Sequence, residues 1–171
     1  MTTYITSDWH YNHTNIIKYA SRPFDSIEEM NKTLIKNWNN TIKKDDAVFF
    51  LGDLCYCGSQ DLIDLVQKLN GYKNIILGNH DNHSIITYQK AGFRTISKHP
   101  IIINHNVILS HEPIALRNSD FYNIHGHIHD LDTNYITEKN PTKYFNACVE
   151  KTDFKPVTFR EIYKNLLKGD K

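Results

Sequence analysis

Asp, Asn and His recur in five short blocks of this chain. They are Asp8-Trp9-His10, Gly52-Asp53, Gly78-Asn79-His80-Asp81, Ser110-His111 and Gly126-His127-Ile128-His129. Carboxylate, amide and imidazole are ligand types for borderline divalent cations, so the chemistry on offer is metal binding. An imidazole that is not itself a ligand adds a group that titrates near neutral pH. The Asp, Asn and His residues of these blocks are spread over residues 8 to 129. Only a fold can gather them.

The elements that must do so are legible around the blocks. Tyr4-Ile5-Thr6, Val48-Phe49-Phe50-Leu51, Ile75-Ile76-Leu77 and Val107-Ile108-Leu109 read as strands running into four of the blocks, and a weaker run from Phe121 to Ile124 leads into the last. Open α/β sheets place sites just beyond the carboxyl ends of their strands, so ligands at those ends meet at one edge. Ser26-Ile27-Glu28-Glu29 reads as a capping box opening a helix to about residue 42, with Ile27, Met30, Leu34, Ile35, Trp38 and Ile42 at helical spacing. A second helix is expected from near Ser59, burying Leu62, Ile63, Val66 and Leu69. A third is expected from His83 to Ala91, with Gly92 as its left-handed stop. A hairpin is expected between His99–Ile103 and Asn106–Leu109, then strands over Lys143–Val149 and Pro156–Phe159 and a helix over Arg160–Leu167. Alternating strands and helices define an α/β class, and the hairpin makes the sheets mixed.

Bulk properties narrow the classes. A chain of 171 residues suffices for one domain with a real core. A net charge of +1 offers no overall field for nucleic acid or an anionic membrane. No run approaches the roughly 18 apolar residues of a membrane span. Asp8 falls where the apolar part of a signal peptide would lie, so a cytoplasmic protein is expected. The three cysteines, Cys55, Cys57 and Cys148, are odd in number and lack framework spacing, which argues against a disulfide scaffold and for a reducing compartment. Cys55-Tyr56-Cys57 lacks the paired spacing of a usual zinc clasp and reads as two small side chains in a loop.

The five blocks, in this order, resemble the calcineurin-like metallophosphoesterases, whose pattern is D-x-H, G-D, G-N-H-D/E, a lone H and G-H-x-H. The stretches His13 to Ile17 and Arg22-Pro23-Phe24 bring the chain nearest to the small bacterial and phage-encoded members. The resemblance implies a four-layer α/β/β/α sandwich, with two mixed sheets packed face to face and the site at one edge. It implies two divalent metals, with manganese the expected ion and iron, zinc, nickel or cobalt as alternatives. Asp8, His10, Asp53 and His129 would hold one; Asp53, Asn79, His111 and His127 would hold the other. Asp53 would bridge them. His80 would assist the leaving group as a general acid, with Asp81 orienting it.

His13, Arg22 and Arg117 are candidates for substrate contact, the last two because a guanidinium suits phosphate geometry; a cap or surface position for His13 and an ordinary salt bridge for Arg22 are the equal alternatives. Trp9 should pack beneath the site and His125 in the core; His83, His99 and His105 should lie on the surface or in turns. The leading function is hydrolysis of a small phosphodiester or nucleotide. The protein phosphatases of the superfamily carry Asp-Arg-Gly after the G-D block and Glu in G-N-H-E. Here Leu54-Cys55-Tyr56 and Asp81 stand at those places. Phosphomonoester hydrolysis and nuclease activity are the alternatives within the superfamily. Duplex cutting is disfavoured by the near-neutral charge. A metal-binding interaction scaffold is the non-enzymatic alternative, opposed by the complete ligand set. No protein partner is implied.

Overall fold

The computed structural model describes residues 1–117, 119–131 and 135–169. Its strands are β1 (Thr3–Thr6), β2 (Ala47–Phe50), β3 (Tyr72–Ile76), β4 (Phe93–Ser97), β5 (Ile101–Ile103), β6 (Val107–Leu109), β7 (Tyr122–His125), β8 (Tyr144–Asn146) and β9 (Val157–Thr158). The helices are α1 (Ile16–Tyr19), α2 (Ile27–Thr41), α3 (Ser59–Gln67), α4 (Ile85–Ala91), α5 (Tyr135–Glu138) and α6 (Phe159–Gly169). One sheet has the order β4-β3-β2-β1-β9 and the other β5-β6-β7-β8. Both are mixed: β9 runs antiparallel to β1, and β5 runs antiparallel to β6.

Two apolar layers result. Trp9, Met30, Leu34, Trp38, Val48, Phe50, Leu62, Val66, Ile75 and Tyr88 join α2, α3 and α4 to one face of the first sheet. Ile5, Leu51, Ile76, Val107, Leu109, Tyr122 and Ile124 fill the space between the sheets, closed by Ile162 and Leu166 of α6. This is the layered α/β sandwich that the motifs imply.

The local signals act as their chemistry predicts. Ser26 accepts from the Glu29 N–H at 3.1 Å, and the Glu29 carboxylate accepts from the Asp25 N–H at 2.9 Å, which starts α2. Gly92 ends α4 at φ 105°. Asn104 and His105 take left-handed backbone in the β5–β6 turn.

Several elements differ from expectation: the strand expected over residues 143–149 is only β8, flanked by 3-10 turns at Pro141–Lys143 and Val149–Lys151, and α1 and α5 have no counterpart in the sequence reading. α3 buries Leu65 in place of the half-buried Ile63. α4 starts after its cap Ser84, leaving His83 in the preceding loop. β4 lies at a sheet edge with Arg94 and Thr95 exposed, so its sequence lacks the apolar run of a buried strand.

Candidate metal centre

The loops that leave β1 and β2 continue the pairing of those strands beyond the sheet. The N–H groups of Asp8, His10 and Tyr11 donate to the carbonyls of Gly52, Asp53 and Leu54, each at 3.0 Å. Both loops turn sharply at residues with metal-ligand side chains. Asp8, His10, Asp53, His127 and His129 all have positive φ, between 49° and 71°. That region costs non-glycine residues free energy, so the surrounding structure must hold them there. Gly126 permits the approach of the last block: a Cβ there would strike the Asp8 carboxylate and the Ser7 hydroxyl.

Two groups of side chains converge at this edge. In each, the ligand atoms lie within 4.8 Å of one another. The first is Asp8, His10 and His129; the second is Asp53, His111 and His127. Asp53 Oδ2 lies between them, 3.5 Å from His10 Nε2 and 3.6 Å from His111 Nε2. Asn79 Oδ1 lies 2.9 Å from His111 Nε2, and His127 Nδ1 is 3.1 Å from that same nitrogen. The seven side chains expected to be ligands are thus brought together at one edge.

Hydrogen bonds fix which nitrogen faces inward. His111 Nδ1 sits 2.8 Å from the Leu51 carbonyl, which can only accept, so its proton is on Nδ1 and Nε2 is free to ligate. His129 Nδ1 is 3.0 Å from Glu150 Oε1, which likewise turns Nε2 toward Asp8. The buried Asp8 Oδ1 and His10 Nε2 have no hydrogen-bond partner. Buried polar atoms are rarely left so, and a divalent cation fits this donor set of carboxylate and imidazole. The residues present therefore suit the metals that the motifs imply.

Electrostatics favour the same reading. Burial, with the nearby His129 and Arg22, pushes the His10 imidazole down to about 2, so the ring is neutral at physiological pH and its Nε2 lone pair is available to a cation. Burial raises the Asp8 carboxyl against the pull of His111 and His129. A bound cation would reverse that balance. Burial opposes the charge on Glu150, yet His129 and Arg22 prevail and hold it below its ordinary value.

Glu150 and Ser7 were not expected here. Glu150 accepts from Arg22 Nε and Nη2 at 2.8 and 2.7 Å and contacts His129, in a 3-10 turn (Val149–Lys151) after β8. Ser7 Oγ meets Asp8 Oδ2 and lies 3.0 Å from the Leu51 carbonyl. Neither belongs to a motif. Only the proximity of Ser7 to Asp8 in sequence could have hinted at it.

The remaining expected site residues divide. His80 is exposed beside the centre, its ring 5.4 Å from that of His10, and its N–H donates to Asp53 Oδ1 at 2.9 Å. His13 stacks on Tyr56 at 5.0 Å and lies 5.6 Å from the His10 ring. Asp81 does not orient His80. Its buried carboxylate accepts from the N–H groups of Asp53, Gly78 and Leu54, at 2.7, 2.8 and 3.1 Å, and so shapes the two ligand loops.

Arg22 does not face a substrate either. Its side-chain relative exposure is 0%, and its guanidinium is bound by Glu150 and by the carbonyls of Asp8 and Trp9. Arg117 lines a separate cavity of about 360 Å³ with Leu116, Ile136 and Tyr144, which none of the seven ligand candidates lines. Trp9 is buried edge-on against Trp38 and Phe50, and His125 is buried, as expected.

The calcineurin-like phosphoesterase family model matches residues 1–165. The chain belongs to this family. An uncharacterized protein of Methanocaldococcus jannaschii, MJ1445, is 41% identical, over 97% of this chain and 92% of that one. The gene 66 protein of mycobacteriophage L5 is 28% identical, over 74% of this chain and 77% of its own length. Among solved structures, an Aquifex aeolicus protein of unknown function, AQ665, superposes with a TM-score of 0.73 at 26% identity, covering 95% of this chain and 98% of that one. The Pseudomonas putida nuclease MPE superposes with a TM-score of 0.51 at 18% identity, covering 74% and 61%, and shares the fold. Membership makes the chain a phosphoester hydrolase of a dimetal family, and the two groups supply candidate ligands for such a pair. Among the described residues no helix is long and apolar enough to cross a membrane.

Proposed function

We propose that this calcineurin-like phosphoesterase is a dinuclear metal-dependent phosphodiesterase, one metallophosphoesterase domain acting on a small phosphodiester or nucleotide. The observation that carries the reading is Asp53, whose Oδ2 is 3.5 Å from a nitrogen of one ligand group and 3.6 Å from a nitrogen of the other. One carboxylate so placed can serve both cations. Asp8, His10 and His129 complete one set; Asn79, His111 and His127 complete the other. Manganese is the ion we expect, although the same donors accept iron, zinc, nickel or cobalt. Bound there, two such ions would supply Lewis acidity to a phosphoryl oxygen and acidify a water as nucleophile.

The chain's own residues do the rest. The Leu51 carbonyl and Glu150 hold the His111 and His129 rings in their ligating tautomers. His80 stands at the rim as a proton donor to the leaving oxygen from a ring nitrogen, and its backbone N–H steadies Asp53. The preference for diesters rests on charge. A monoester dianion favours a guanidinium clamp. Here Arg22 is bound to Glu150, and Arg117 lines another cavity.

The test compares bis-p-nitrophenyl phosphate with p-nitrophenyl phosphate, using metal-stripped protein and added manganese. Manganese-dependent turnover favouring the diester is expected. A preference for the monoester would make the chain a phosphatase. No turnover with any divalent metal, in protein that binds two ions, would point to the scaffold alternative.

A further inference from the structure

A third group of potential ligands lies beside this centre and shares no residue with it. Cys55, Cys57 and His83 place two sulfurs and an imidazole nitrogen within 4.8 Å of one another. The sulfurs are 2.7 Å apart, and His83 Nδ1 is 3.3 Å from Ser59 Oγ. Cys55 is buried, whereas Cys57 and His83 are partly exposed, so solvent reaches the group from one side. That side opens on a cavity of about 380 Å³ lined by Tyr56, His80 and Asn82 together with the three residues themselves.

We propose that Cys55, Cys57 and His83 form a third cation site, selective for a soft or borderline divalent ion of the zinc class. Two sulfurs and one imidazole are a zinc donor set, and three protein ligands leave a fourth position for water from the cavity. The all-oxygen-and-nitrogen centre next to it has no sulfur and suits harder ions equally well. The two sites therefore differ in preference. Binding requires the sulfurs to open to roughly 3.8 Å, the tetrahedral separation for bonds of about 2.3 Å. Rotation of the less buried Cys57 side chain provides that movement.

The consequence is mechanical. Cys55 and Cys57 lie between β2 and α3, and His83 lies between β3 and α4. An ion there ties these two loops together on either side of the cavity that His80 lines. The sequence pattern hides the site because its third ligand is 26 residues from the cysteine pair and belongs to no spaced motif.

Cobalt(II) provides the test. Manganese-loaded protein in a phosphine reductant is titrated with cobalt and followed in the near ultraviolet, where sulfur-to-cobalt charge transfer absorbs. The seven candidate ligands of the dinuclear centre carry no sulfur, and Cys148, whose Sγ lies 3.2 Å from Asp8 Oδ2, is told apart by the Cys57 variant, so the result is independent of turnover and of the proposed activity. A saturable band is expected in the native chain, lost in Cys57→Ser and reached only at about tenfold or higher cobalt in His83→Ala, since even residues that merely orient ligands contribute that much. No band in the native chain overturns the proposal. So does a band that survives Cys57→Ser, which would assign it to Cys148. If Cys57→Ser fails to fold by circular dichroism, His83→Ala decides: unchanged cobalt affinity overturns the three-ligand site.

Discussion

At the scale of single residues, the proposed centre separates the candidate ligands from the side chains that hold them in place. His80 belongs to neither group: it is exposed, and only its backbone touches Asp53. Under the proposed mechanism His80→Ala keeps both ions, by metal analysis, and lowers turnover of an alkyl phosphodiester about 100-fold or more. The loss should shrink for a p-nitrophenyl leaving group, which needs little protonation. Equal losses on both substrates would remove His80 from the proton-donor role.

Glu150 is the converse case. It orients His129 and neutralises Arg22. Glu150→Gln should weaken metal binding about 10–100-fold, read by competition with a chelating dye, without altering the preference between substrates. Unchanged affinity would show that His129 needs no such partner.

At the scale of elements, the site is built from loops leaving adjacent parallel strands, and their close approach leaves little room for added atoms. Gly126 follows β7 and packs directly on Asp8 and Ser7. Gly126→Ala should displace the Asp8 carboxylate. A stability loss of about 1–3 kcal/mol is expected in denaturant unfolding, as for other overpacked positions. Weaker binding of one of the two ions should accompany it. A variant with native stability and two tightly bound ions would contradict the close packing drawn here.

The same elements explain why some residues were legible and others were not. The ligand blocks sit where strong apolar runs end, so β1, β2, β3 and β6 and their ligands could be read together. The capping box of α2 and the stop at Gly92 were equally visible, being local chemistry. β4 was hidden because it is an edge strand with exposed polar positions. The cost of reading residue types alone is seen at Arg22 and Asp81. A guanidinium and a carboxylate next to motif residues look functional in sequence, yet both are spent on backbone atoms and Glu150 inside the fold.

At the scale of the whole molecule, the buried imidazoles give the metal-free protein a pH-dependent stability. Burial lowers His125 to about 4 and His10 to about 2, while an unfolded histidine titrates at about 6.5. Below about pH 6.5 the unfolded chain takes up protons that the folded chain refuses, so stability falls with pH down to about 4 for His125 and further for His10. His129 is shifted upward by Glu150 against burial, so its contribution is greatest below about 6.5 and offsets part of the fall. For His125 alone the loss across its window is on the order of 3 kcal/mol. Urea midpoints of chelator-treated protein at pH 7 and 4.5 measure it. His125→Gln should flatten the dependence, and an equally steep one would locate the effect elsewhere.

The sequence by itself determined the α/β class and the main helices, because strand ends and caps are local properties, and the order of its blocks named seven ligand candidates through the family resemblance. Tertiary structure alone brought the two groups to one edge with Asp53 Oδ2 between them, since strands distant in sequence had to become neighbours first. It also decided the support beneath them. Glu150 reaches His129 across 21 residues and Arg22 across 128. His83 meets Cys55 and Cys57 only because two loops leave one sheet edge side by side. No periodicity encodes such meetings; they arise from strand order and from the space left between packed layers.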